Sequence, residues 1–146
     1  MATYRYRALE PVPFGFPTRP LPGARVALVT TGAVYAPGQP PFDDSARGGD
    51  VSFREIPSDV DVSTLGIAHK SDAFDQSGFL ADRNLGFPLD RLREMAAQGE
   101  IGELNQRHLS FMGSITAPGR LLAQTAPAAC DLLVADRVDV VLPVPL

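Results

Sequence analysis

An α/β fold with a mainly parallel sheet is predicted by three features of this chain. Arg25-Val26-Ala27-Leu28-Val29-Thr30-Thr31 is a short, nearly continuous apolar run of the kind a strand buried on both faces requires. A helical stretch from Arg120 to Ala135 leads directly into a second apolar run, Val138-Asp139-Val140-Val141-Leu142. Strand, helix, strand at this spacing is the pattern of a parallel βαβ unit. The expectation is a three-layer architecture, flavodoxin-like in style.

Before the first strand, residues 1–23 read as an extended arm. Tyr4, Tyr6, Phe14 and Phe16 are scattered among Pro11, Pro13, Pro17 and Pro20, and proline denies a helix both its donor and its freedom in φ. The body is expected over residues 24–146. Gly32 ends the first strand, and the proline- and glycine-rich stretch from Ala33 to Gly49 reads as loop. Val51-Ser52-Phe53-Arg54-Glu55-Ile56 is a second strand, closed by Pro57, and Leu65-Gly66-Ile67-Ala68 a short third. Phe87 to Gly99 carries helix punctuation: Pro88 in the first turn, Leu89, Leu92 and Met95 or Ala96 as a buried stripe, and Gly99 at the end. Ile101 to His108 is expected as another short helix, with Leu104 and His108 four apart on one face. Pro127 either starts the second half of the 120–135 helical stretch or kinks it.

Composition excludes several classes. At 146 residues the chain has the length of one domain, and its net charge of -4 gives no footprint for nucleic acid. No apolar run reaches the roughly 18 to 20 residues that span a bilayer, and the N-terminus lacks the apolar core of a signal peptide. Cys130 is the single cysteine, so no internal disulfide forms and a cytoplasmic location is expected. Cys130 lies in an Ala/Leu-rich helical stretch and reads as a small core residue.

The candidate chemistry lies in few residues. His69 follows the third strand and precedes Asp72 and Asp75, where it could act as a general base or simply bond a loop. His108-Leu109-Ser110-Phe111-Met112-Gly113 supplies a second histidine and a serine, but no G-x-S-x-G surrounds Ser110. Thr30-Thr31-Gly32-Ala33 resembles a phosphate-cradling turn only loosely. Neither the spacing of the histidines nor the lone cysteine suits a metal, and none is expected. The last strand runs out into Pro143-Val144-Pro145-Leu146. In an open α/β sheet, ligands sit at the carboxyl ends of strands. Either this strand closes the fold, or the fold is incomplete at the C-terminus and the chain stops at the edge of its site; the second is expected.

Taken in order, the segments resemble one family. They are Val26 to Val34, Pro41-Phe42-Asp43, Gly49 to Pro57, Ala68-His69 with Asp75, Asp82-Arg83-Asn84-Leu85-Gly86-Phe87-Pro88-Leu89-Asp90-Arg91-Leu92, Gly99-Glu100-Ile101-Gly102, Ser110 to Gly113, and Ala135 to Leu142. This series is similar to selenoprotein B of the glycine/betaine/sarcosine/D-proline reductases, over roughly residues 24 to 146. The resemblance implies a redox enzyme or subunit whose nucleophile, a selenocysteine or cysteine, comes just beyond Leu146. It implies no other cofactor in this chain. Thr31, Gly32, His69, Asp75, Asn84, His108, Ser110, Met112 and Gly113 are then the residues expected to line the site, orienting and stabilising an anion rather than attacking. The implied partners are a small-molecule substrate, a thiol electron-donor protein, a pyruvoyl-containing subunit and, for the chain itself, a second copy. The competing expectation is a non-catalytic ligand-binding or interaction domain, complete as it stands.

Overall fold

A computed structural model of the chain describes residues 15–69 and 75–146. Tyr4, Tyr6 and Phe14 of the expected arm, and Asp72, lie outside the described residues. The sheet is built around β1 (Arg25–Thr30), whose Ala27, Leu28 and Thr30 are fully buried, as the apolar run requires. Three strands pair with it in parallel. β5 (Glu103–Leu104) lies against its first residues and β6 (Arg107–Phe111) against its last. β7 (Val140–Val144) runs along its other side, from Val26 opposite Val140 to Thr30 opposite Val144. β3 (Phe53–Pro57) adds antiparallel to β6, with Phe53 opposite Phe111 and Pro57 opposite Arg107. A separate antiparallel pair, β2 (Val34–Tyr35) and β4 (Gly66–Ile67), follows β1. The architecture is therefore mixed α/β with a mostly parallel sheet.

Both faces of the sheet are covered, because β1 alternates between them. Val26 and Leu28 join Ile56, Phe79, Phe87, Leu89 and Leu92 in the larger cluster, under α1 (Ser77–Ala81) and α2 (Leu89–Ala97). Ala27 and Leu109 face the other way, against Ala129 and Leu133 of α3 (Ala126–Ala135). The Phe53 and Phe111 rings extend that second cluster, with centroids 5.4 Å apart.

α2 follows its sequence signals. Leu89 and Leu92 are buried, Arg93 donates to Asp90 at 2.6 Å, and Gly99 takes a φ of +74° as the chain leaves the helix. α3 is preceded by a widened π-turn over Leu121–Thr125, in which the Ala126 N–H reaches back to Leu121 O. Pro127 accounts for this. It has no N–H to give the carbonyl four residues earlier, and its ring crowds that carbonyl, so the helix opens by one residue.

Three expectations are corrected. Residues 101–108 form no helix: β5 and β6 occupy the stretch, with a turn at Asn105 and Gln106. Buried Asn105 holds that turn, its Nδ2 donating to Arg107 O and to Asp136 Oδ2, each at 2.9 Å. Tertiary pairing with β1 thus overrode a four-residue spacing that suited a helix equally well. The last strand runs from Val140 to Val144, so Pro143 lies within it and not in a following loop. Cys130 is exposed on α3 rather than buried beneath it.

Candidate functional site

The carboxyl ends of β1, β6 and β7 meet at one rim. Thr31 joins them: its N–H donates to Val144 O at 3.1 Å, and its Oγ1 accepts from Leu146 N at 2.8 Å. Thr30, one residue earlier, turns its side chain inward, donating to Gly86 O at 2.7 Å and accepting from Gly32 N at 3.0 Å. The N–H groups of Thr31, Gly32 and Ala33 are all engaged within the protein. The likeness to a phosphate-cradling turn therefore stops at sequence.

Beyond β1 the chain crosses over the end of β6. Gly32 bridges Met112, and Ala33 takes a φ of +53° while donating to Phe111 O at 2.9 Å. A left-handed alanine is a strained residue held by its surroundings. Ala33 is fully buried, packed with Phe42 and Met112. Its carbonyl accepts from Ala68 N at 3.0 Å, which delivers His69 to the rim.

Gly113 marks the closest approach. A Cβ there would lie 2.6 Å from Leu146 O, 2.9 Å from His69 Nε2 and 3.0 Å from Thr31 O. Burial lowers the pKa of His69, so its imidazole is neutral at pH 7. Gly32 and Gly86 leave room for the Leu146 side chain, since a Cβ at either would meet Leu146 Cδ1, at 2.7 and 2.5 Å. On the α3 side of the rim opens a crevice of about 340 Å³, walled by Thr31, Phe111, Gly113, Ile115, Leu121 and Ala126 among others.

The structure thus brings together Thr31, Gly32, His69, Met112 and Gly113. It does not bring the other four to them. Asp75 is exposed and accepts from Ser77 N at 2.9 Å, the bond that chiefly lowers its pKa. Asn84 ties the turn before α2 to that helix, donating to Asp90 Oδ2 at 3.0 Å and accepting from Asp90 N at 3.1 Å. Ser110 is fully buried, facing the α2 side, and its Oγ has no hydrogen-bond partner in the structure. His108 lies deep on the same face, its Nδ1 accepting from Leu28 N at 3.0 Å. The rim also uses residues the sequence reading did not single out: Phe79, Gly86, Ile115 and Leu121. Of these, Gly86 alone carried a local signal, as the small residue of Asn84-Leu85-Gly86-Phe87 just before Pro88.

At the opposite end of the sheet the polar groups are paired with one another. Arg107 forks onto Asp136 at 2.6 and 2.7 Å and also reaches Glu55 at 2.7 Å. Arg25 donates to Asp136 O and to Glu103. The Arg107 guanidinium, with Asn105, holds the Asp136 carboxyl down at about 2. This end is a fastening of β5, β6 and α3. Among the described residues, no group of three or more His, Cys, Asp or Glu is placed to hold a metal, and no helix is long and apolar enough to cross a membrane.

In open α/β sheets ligands sit where the carboxyl ends of strands converge, and here strand ends, small residues and a histidine meet at one such rim. The family model for glycine/sarcosine/betaine reductase selenoprotein B matches residues 2–144, and the chain belongs to that family. It is 32% identical over 138 residues to the D-proline reductase subunit gamma of Acetoanaerobium sticklandii, covering 94% of this chain and 55% of that one. It is 27% identical over 132 residues to the glycine reductase complex component B subunit gamma of Symbiobacterium thermophilum, covering 88% of this chain and 30% of the relative. The corresponding subunit of Carboxydothermus hydrogenoformans is 27% identical over 135 residues, 92% of this chain and 31% of its own length. The chain therefore spans about half the length, or less, of the curated relatives it matches. No solved structure matches it.

Proposed function

We propose that this chain forms part of a reductase of the glycine or D-proline type, on a sheet of flavodoxin-like style, in which a selenol or thiol acts where β7 leaves the rim. The observation that carries the reading is the junction of Thr31, Gly113, His69 and Leu146, in a chain of the selenoprotein B family. A nucleophile following β7 would emerge between the strand ends. Thr31 would fix the backbone that carries it, and the neutral imidazole of His69 would lie close enough to exchange a proton. In the step proposed, a selenolate or thiolate displaces nitrogen from the substrate's α-carbon. The Se–C or S–C bond forms as the C–N bond breaks, and nitrogen leaves with the electron pair and takes a proton. A thiol electron-donor protein supplies the two electrons that free the product and reset the site. A pyruvoyl-bearing subunit and a second copy of this chain complete the proposed assembly, in the cytoplasm.

The test is alkylation of the native protein, isolated from its own cells, with iodoacetamide at about pH 6, where low-pKa selenols and thiols react and ordinary thiols barely do. Peptide mapping is expected to place the label on a peptide contiguous with Val138 to Leu146. A native protein that ends in the free carboxylate of Leu146 and carries no label there overturns the proposal.

A further inference from the structure

The crevice beside the rim has a chemical character of its own. Its volume, about 340 Å³, lies at the low end of the roughly 300–1,000 Å³ typical of small-ligand sites. Phe111, Ile115, Pro118, Leu121 and Ala126 wall it, and among the described residues no charged side chain lines it. The hydroxyl among these lining residues, Thr31 Oγ1, is already held by Leu146. A carboxylate or ammonium seated against this wall would shed part of its water and find no partner among the described side chains, which is unfavourable.

Charge is present nearby but partitioned away. A larger cleft of about 640 Å³ carries Asp43, Arg47, Asp50 and Arg120. The π-turn divides the two: Arg120 and Thr125 line the charged cleft, while Leu121 and Ala126 line the apolar crevice. Leu121 and Ala126 are also the two ends of the widened hydrogen bond, so the turn that Pro127 imposes sets both residues in the apolar wall.

We propose that this crevice receives an uncharged apolar group of the substrate, beside the strand ends where the reaction takes place, and not a zwitterionic head. The inference rests on the reductase reading for the word substrate, and on the crevice alone for the chemistry of what binds.

Benzyl alcohol, uncharged and of suitable size, is the probe, with glycine and glycine betaine as zwitterionic controls that lack an apolar side chain. Methyl NMR of the 146-residue chain is expected to show saturable shifts at Ile115 and Leu121 with benzyl alcohol, and none with either zwitterion at equal concentration. Ala126→Leu narrows the crevice and is expected to weaken benzyl alcohol binding at least tenfold. Leu121→Asn, which makes the wall polar, is expected to do the same. Unchanged thermal transitions establish that each variant folds, and either correctly folded variant suffices. Shifts at these methyls with a zwitterion, silence with benzyl alcohol, or undiminished binding by a folded variant each overturn the proposal. The measurement does not involve the redox group, and alkylation does not involve the crevice, so either reading fails without the other.

Discussion

His108 stands in a gap. β5 pairs with the start of β1 and β6 with its end, and between them Leu28 N–H has no backbone acceptor; His108 Nδ1 takes it, at 3.0 Å. Nδ1 as acceptor puts the proton of the neutral ring on Nε2. Protonation would abolish that bond and charge the core. Burial first, and the positive charge of Arg93 second, accordingly lower its pKa from 6.5 to about 4. The folded pKa is depressed, so this stabilisation is complete above about pH 6.5 and is lost as pH falls toward 4, by up to about 3 kcal/mol. Urea unfolding across that window is expected to show the slope, and His108→Gln, which keeps an acceptor and does not titrate, to flatten it. Gly113→Ala is expected to destabilise by about 2 kcal/mol or more, because its Cβ would strike two backbone carbonyls that cannot swing aside; denaturant midpoints measure it. Cys130, being exposed, is expected to react with Ellman's reagent in the native protein, and Cys130→Ser to change stability by no more than about 0.5 kcal/mol.

Among the elements, the fastening at the amino ends of the strands decides how β6 and α3 are held. Arg107 on β6 grips Asp136, just past α3, with two parallel bonds, a geometry lysine cannot reproduce. Arg107→Lys is expected to cost about 1 kcal/mol, modest because the pair is partly exposed. Asp136 has a depressed pKa, so its contribution is present above its ordinary 3.8 and fades as pH falls toward about 2. That window lies below the one set by His108. Arg107→Lys is therefore expected to lie below the parent by a constant amount above about pH 3.8 and to converge on it as pH falls toward about 2. Legibility at this scale followed the range of the forces involved. β1 and α2 were readable because burial and helix caps are written locally. Residues 101–108 were misread because their strands exist through β1, some 80 residues away in the chain for Leu28 and His108. Cys130 was misread because α3 is apolar on several sides, and periodicity could not say which side meets the sheet.

For the whole molecule, two helical layers on a mostly parallel sheet could be expected from the run at Arg25 to Thr31 and the helix leading into β7. The rim was half legible. Thr31, Gly32, Met112 and Gly113 follow from strands that end together, and His69 from the short strand before it. His108 and Ser110 looked like site residues because polar groups beside a turn usually are. They sit on the inward face of β6, and only the pairing register reveals that. Asn84 and Asp75 looked chemical and are instead local ties, one at the start of α2 and one before α1.

β7 carries one further consequence in the parity of its prolines. In a parallel strand a residue's N–H and C=O point the same way, and Val144 turns its carbonyl to Thr31. Pro143 and Pro145 therefore face away from β1, where each offers an oxygen and no hydrogen. Another strand laid along this edge could give hydrogen bonds to Pro143 and Pro145 but receive none from them, while Val141 keeps its N–H. The carboxyl half of the edge is thereby a one-way hydrogen-bonding surface, which hinders its growth by accretion of like chains. Pro143→Val returns a donor to the margin, and sedimentation velocity is expected to show greater self-association for that variant than for the parent; equal behaviour would mean that the prolines do not guard the edge.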